Sequence, residues 1–153
     1  MKKKLFAFFL IFLISPFKLL AIEPDIFVQS TVNRASKLLS DNISKEQKIN
    51  ELKKIAKDTV DIRGIGFYSL GAARKNLNAE DKQEFIILFE QYFLKSFSSR
   101  LAEYTNPEID VNNKEVLDKN YTIVNSVLKA TQERPEIKID WRIYTKDPEN
   151  PLI

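Results

Sequence analysis

The stretch VDIRGIGFYSLGAARKNLNAEDKQEFIILFEQYFLKSFSSRLAEY, residues 60–104, decides the reading of this chain. It holds all three glycines, Gly64, Gly66 and Gly71. Glycines gathered this closely mark backbone that needs unusual dihedrals or close packing. For Gly71, close helix packing is the expected role. Beyond them Phe85, Phe89, Phe93, Phe97 and Leu101 recur every four residues, which places apolar bulk along one side of a helix. Asn78 is a suitable N-cap, and Glu80 and Asp81 favour the positive end of the helix dipole. The spacing predicts a helix from Ala79 to Tyr104, about 39 Å long at about 1.5 Å per residue. Asn106-Pro107 stops it. Phenylalanine concentrated in this way builds either a core or an oily pocket.

Upstream, residues 25–39 carry Val28, Val32, Ala35 and Leu39 on one helical face. Ser44 can cap a second helix with Gln47 at the capping-box position, and Ile49, Leu52, Ile55 and Ala56 form its stripe. Residues 58–65 read as a turn or short helix and residues 67–75 as a short helix. Downstream of Pro107 the period changes to two. Ile137, Ile139, Trp141 and Ile143 alternate with Lys138, Asp140, Arg142 and Tyr144, a half-buried strand. Residues 121–131 are apolar on both sides, with Tyr121, Ile123 and Val127 on one and Val124, Leu128 and Ala130 on the other. That predicts a central strand. Residues 108–116 form a weaker first strand, and Glu133-Arg134-Pro135-Glu136 turns between the last two. Helices followed by an antiparallel sheet predict an α+β domain.

The N-terminus begins Met1-Lys2-Lys3-Lys4, followed by an uncharged apolar run, residues 5–14, and by Leu19-Leu20-Ala21. This pattern is that of a secretory signal peptide ending at Ala21, with an uncleaved anchor as the alternative because Leu19 rather than a small residue stands at −3. The run is shorter than the ~20 apolar residues of a membrane span. The leader holds Lys2, Lys3, Lys4 and Lys18 and no acid, so its removal changes the formal charge from +3 to −1. The basic character belongs to the leader and gives no argument for nucleic-acid binding. The remaining charges alternate in sign, as on a solvated helical surface.

Cysteine and histidine are absent. An exported fold without disulfides is held by its core alone. The usual zinc sites, thiol nucleophiles and Ser-His-Asp arrangements are excluded as well. No acidic cluster lies on an apolar surface where a raised pKa would be expected. No GxxxxGK or GxGxxG context surrounds the glycines. The inventory therefore argues against an enzyme, and no catalytic residue, metal or cofactor is expected.

The run Asp61, Ser69-Leu70-Gly71, Asn78-x-Glu80-x-x-x-x-Phe85-x-x-x-Phe89-x-x-x-Phe93, Phe97-x-x-x-Leu101-x-x-Tyr104 resembles the signature of the MlaC-like toluene-tolerance family. Pro24-Asp25-x-Phe27-Val28 is similar to the family's first helix. Ile139-Asp140-Trp141-Arg142-Ile143 is similar to the strand before its final hairpin. Arg74 departs from the pattern, standing where an aromatic is expected. The resemblance implies N-terminal helices packed on a curved antiparallel β-sheet, a nuclear-transport-factor-like cone enclosing an apolar cavity. It also implies a periplasmic phospholipid-binding protein of Gram-negative bacteria, an auxiliary component of lipid transport. Its cargo is phospholipid. Its implied partners are an inner-membrane Mla ABC transporter complex and an outer-membrane lipoprotein–porin complex, and its role is upkeep of outer-membrane lipid asymmetry.

The residues expected to line the pocket are Phe67, Leu70, Phe85, Phe89, Phe93, Phe97, Ile123, Val127, Ile139, Trp141 and Ile143. The arc of Phe85, Phe89 and Phe93 is expected to hold the long helix to the sheet and to border the lipid tails, with Tyr92 and Leu94 facing the smaller helices. Two acyl chains hold about 30 methylenes, and at about 0.8 kcal/mol each their exposure to water would cost on the order of 20 kcal/mol. The tails must therefore be enclosed, whereas the headgroup can stay in water. An accessory protein for another lipid, such as a hopanoid, and a small-molecule enzyme of similar cone-like fold are the alternatives. The domain is expected to span residues 22–153 after a leader at 1–21. The resemblance implies a further strand and a terminal helix, so Leu152-Ile153 reads as the opening of that strand, and the domain is expected to be either a fragment or a reduced member without those elements.

Overall fold

Pro24 occupies the first turn of α1 (Pro24–Ser40), where its missing N–H removes no helical hydrogen bond. The computed structural model describes residues 21–153, so the leader expected at 1–21 lies outside the described residues but for Ala21. Lys48 Nζ donates to the Leu39 carbonyl at 2.6 Å, satisfying one acceptor at the end of α1. α2 (Lys45–Thr59) opens on the expected capping box: Gln47 N–H donates to Ser44 Oγ at 3.2 Å, and Ser44 N–H donates to Gln47 Oε1 at 3.0 Å. α3 (Ile62–Ser69) starts where Asp61 Oδ1 accepts from Gly64 N–H at 2.8 Å. It spans the join between the two short helices expected there. A short 3-10 helix, Gly71–Lys75, follows. Asn78 Oδ1 accepts from Asp81 N–H at 2.8 Å and opens α4 (Ala79–Leu101). α4 ends before the expected Tyr104, because the chain turns ahead of Asn106, whose φ is 49°, and Pro107. Among the described residues no helix is long and apolar enough to cross a membrane.

The sheet is antiparallel in the order β1 (Ile109–Asp118), β2 (Tyr121–Leu128), β3 (Ile137–Tyr144), with β2 central as its two-sided apolar pattern predicts. The β1–β2 register shifts between Val111 and Asn113 and between Val116 and Asp118. Such irregularities bend a strand and increase its twist. Past β3, Leu152 forms an antiparallel bridge to Tyr144. Ile153 N–H then donates to the Thr59 carbonyl at 2.8 Å, and the Ile153 carbonyl accepts from Asp61 N–H at 2.9 Å. The architecture is α+β, helices on one face of an open antiparallel sheet.

Two separate apolar clusters form. Val28 and Val32 of α1 bury against Val124 of β2 and Ile143 of β3. Ala56 of α2, Ile62 of α3 and Leu94 of α4 make the second cluster, with Phe89, Phe93 and Phe97 packed on it. α1 packs on the sheet and on α2, whereas α4 packs on α2 and α3 and makes no extended contact with the sheet. This corrects the expectation that the Phe85–Phe89–Phe93 arc holds α4 to the sheet: α1 performs that role. Leu94 faces the smaller helices as expected, but Tyr92 is 69% exposed.

The glycines divide the work differently from the sequence reading. Gly71 has φ 53°, and a Cβ there would meet nothing within 4 Å, so its role is conformational. Close packing belongs to Gly66, where a Cβ would lie 2.9 Å from both Ile86 Cδ1 and Phe89 Cδ1. Gly66 is thus the point at which α3 lies against α4. Overpacking costs about 1–3 kcal/mol, against a helix-propensity gain of about 1 kcal/mol. Gly66→Ala is expected to lower stability by about 1 kcal/mol in urea denaturation; an unchanged midpoint would show that α3 and α4 are free to move apart.

Lys114 Nζ lies between Glu23 and Asp25, tying the start of α1 to β1. The hydrogen bond from Lys114 lowers the Asp25 pKa below its usual 3.8, and those to Asp25 and Glu23 raise Lys114 above its usual 10.5. The lowered carboxylate contributes stability fully above pH 3.8 and loses it as pH falls through the folded-state value. The raised lysine contributes fully below pH 10.5 and loses it as pH climbs through the folded-state value. The pair is solvent-screened, so the effect is small. Lys114→Gln should melt slightly earlier than wild type at neutral pH, with the difference shrinking below pH 3.8. Melting curves recorded across that range check this, and a difference that persists in acid would assign the loss to packing.

Candidate functional site

The gap between the two clusters is a cavity of about 360 Å³. Its helical wall comes from Val32, Ala35 and Leu39 of α1, Leu52, Ile55 and Ala56 of α2, and Phe93, Phe97 and Leu101 of α4. Its other wall comes from the sheet: Ile109 of β1, Leu128 of β2, and Ile137, Ile139 and Trp141 of β3. Ile65, Tyr104, Pro107 and Ile153 complete its lining, and no lining side chain carries a charge. The cavity exists because α4 stands off the sheet, carried on α2 and α3.

Local chemistry fixes the aromatic walls. Successive phenylalanines of α4 stack with ring centroids 5.8, 6.2 and 5.3 Å apart from Phe85 to Phe97. Four residues turn the helix by slightly more than one revolution, so the ladder winds slowly around α4. Its Phe93–Phe97 end therefore reaches the cavity, and Phe89 lies against α3 at Gly66. On the opposite wall Trp141 Nε1–H donates to Ser126 Oγ at 2.8 Å, which satisfies the indole and fixes its plane. Ser98 Oγ of α4 is buried without a partner among the described residues.

Of the residues expected to line a pocket, Phe93, Phe97, Ile139 and Trp141 come together around this cavity. The others are placed elsewhere. Ile143 is fully buried beneath α1. Phe85 continues the ladder beyond the cavity. Phe67 lies under the guanidinium groups of Arg63 and Arg74, 5.0 and 6.0 Å from its ring centroid, and Leu70 is half-buried at the end of α3. Arg74 thus covers an aromatic ring at the position where the resemblance expected an aromatic. Ile123 and Val127 lie on the opposite face of β2, paired with Arg142 and Lys138.

The parity of one loop explains that last placement. A strand ending at Thr131 leaves an odd number of residues before Ile137. The strand ends at Leu128, which leaves the even-numbered loop 129–136 and pairs Leu128 with Ile137 and Val124 with Trp141. One residue of register flips every side chain to the other face. The lining from α1 and α2 has the same period as ordinary core, so spacing alone gave no signal for it. Leu101 and Tyr104 were visible as the continuation of the phenylalanine series.

Helices on an open sheet around an uncharged interior define a binding protein for an apolar molecule. Residues 29–152 match the family described as MlaC protein, and the chain belongs to the MlaC family. The fold is similar to that of a phospholipid-binding protein from Ralstonia solanacearum, solved in complex with a phospholipid. The TM-score is 0.68 at 13% sequence identity, over 86% of this chain and 75% of that chain. No match was found among curated proteins.

Phe93 tests the cavity because it faces the void from α4. Phe93→Asp puts an unpaired carboxylate among apolar groups. Its desolvation costs at least about 1.4 kcal/mol, so affinity for an apolar ligand should fall at least about tenfold. Equal melting temperature and equal ligand content in wild type and variant would show that position 93 faces water.

Proposed function

We propose that this protein is a periplasmic phospholipid carrier that takes lipid between the outer and inner membranes and so maintains outer-membrane lipid asymmetry. The observation that carries this reading is the cavity itself, lined on both walls without a charged side chain. Family membership and the likeness to a phospholipid-binding protein support it. A methylene is about the size of a water molecule, whose share of liquid volume is about 30 Å³, so the cavity takes on the order of 12 methylenes. That suits about one acyl tail. Seating a second requires the α4 layer to part from the sheet, where no extended packing resists it.

On this reading the protein binds and releases its cargo unchanged and is not an enzyme. The leader at residues 1–21 directs export, with Ile22 the first mature residue. Lipid passes to or from an inner-membrane Mla ABC transporter complex and an outer-membrane lipoprotein–porin complex. The proposed contacts to the tails are Phe93, Phe97, Ile139 and Trp141.

Native mass spectrometry of the protein released by osmotic shock provides one test of cargo and export. The expected result is a chain beginning at Ile22 with a glycerophospholipid bound. A bound hopanoid would move the reading to an accessory role for that lipid. A chain that stays empty in the presence of membranes, or one retaining Met1 in the membrane fraction, would overturn the carrier or its release, respectively.

A further inference from the structure

Two further hollows, each with charged residues in its lining, adjoin the apolar cavity. One, of about 440 Å³, shares Ile65, Trp141 and Ile153 with it, but there the backbone of Ile153 is hydrogen-bonded to Thr59 and Asp61, which closes the wall. The other, also about 440 Å³, shares Tyr104, Pro107 and Leu128, and lies between the turn after α4 and loop 129–136. On this side Lys129 N–H donates to the Glu108 carbonyl at 2.9 Å, and the hollow meets the cavity at the Tyr104 and Pro107 side chains.

Its charges are unequally engaged. Lys129 Nζ is held 3.3 Å from Glu108 and 3.2 Å from Asp110. Arg134 is the half-buried member of an otherwise exposed loop. Its guanidinium stacks 4.2 Å from the centroid of Tyr104, the ring that also lines the apolar cavity. Its hydrogen bond is a long one of 3.4 Å to the Glu103 carbonyl, and it makes no ion pair among the described residues. A guanidinium has five N–H donors, so most of these remain for a ligand. Glu103, Glu108 and Glu133 line the hollow with Lys129 and Arg134; Glu103 also reaches Lys45 at 4.0 Å, and with Lys45 and Asp110 included the formal balance is −1. A headgroup with net negative charge is disfavoured there, whereas one phosphate next to one ammonium matches both signs.

We propose that this hollow is a headgroup subsite for zwitterionic, ethanolamine-type glycerophospholipid, with Arg134 binding the phosphate and Glu133, which makes no ion pair among the described residues, attracting the ammonium. It rests on the carrier reading and gives that reading a headgroup preference. A phosphate on Arg134 places its acyl chains at the Tyr104 lip, where the apolar lining begins.

The test is competitive loading of the full mature chain from vesicles containing equal parts of phosphatidylethanolamine, phosphatidylglycerol and diacylglycerol with identical tails, read by mass spectrometry of the re-isolated protein. Wild type is expected to favour the ethanolamine lipid over the glycerol lipid. A charge-assisted hydrogen bond corresponds to about a tenfold effect, so Arg134→Gln should lower the phospholipid-to-diacylglycerol ratio about tenfold. Glu133→Lys should shift the phospholipid bound toward phosphatidylglycerol. Because ratios are read, a general loss of folding does not imitate either result. Equal uptake of the two phospholipids by wild type, or the same phospholipid-to-diacylglycerol ratio in Arg134→Gln, would overturn the subsite while leaving the carrier intact. Failure of wild type to load any of the three would overturn the carrier reading itself.

Discussion

The structure depends on the contact of α1 with the sheet, Val28 and Val32 against Val124 and Ile143. α1 makes extended contact with both layers, since it also packs on α2. The remaining helices hang from it and from one another, and α4 makes no extended contact with the strands. With a single continuous core the space would fill with side chains at crystal-like density. With two cores held at one side by α1, a void persists between them.

That arrangement resolves the two readings of the phenylalanine series. Half of the series is core: Phe89 packs where Gly66 brings α3 close. The other half, Phe93 and Phe97, packs on the same helical cluster and also lines the cavity. A four-residue spacing on a 3.6-residue helix drifts around the axis, and the drift carries one stripe from a filled environment to an unfilled one. Buried hydrophobic area normally stabilises a small domain by about 25 cal/mol per Å². Here part of that area is left unburied in the empty protein and becomes available to a ligand.

Much of the fold was legible in the sequence because its signals are local. Ser44 with Gln47, Asn78 ahead of Ala79, Pro107 after the long helix, and the alternation from Ile137 to Tyr144 each depend on neighbours a few residues away. The candidate site was less legible. Whether Ile123 or Val124 faces inward depends on the length of a loop, and two apolar faces on a central strand leave the alternation silent. Whether Phe93 meets a neighbour or a void depends on the stand-off of α4, which is set by α1 and Gly66 rather than by α4 itself. Tyr104, at the seam of the two spaces, continues the spacing of the phenylalanine series but lies past the end of its helix.

Each layer is also one uninterrupted piece of chain. α2, α3 and α4 follow one another, as do β1, β2 and β3, with each strand paired to the next. Contiguous segments with their own buried clusters open as cooperative units of differing free energy. Amide exchange should therefore resolve two populations: a slow one in β2, which is paired on both sides, and in the part of α1 above it, and another shared by α2 to α4. A molecule lying between them touches both. Its binding would draw the two exchange rates toward each other, so that the empty protein behaves as two loosely joined bodies and the filled one as a single body.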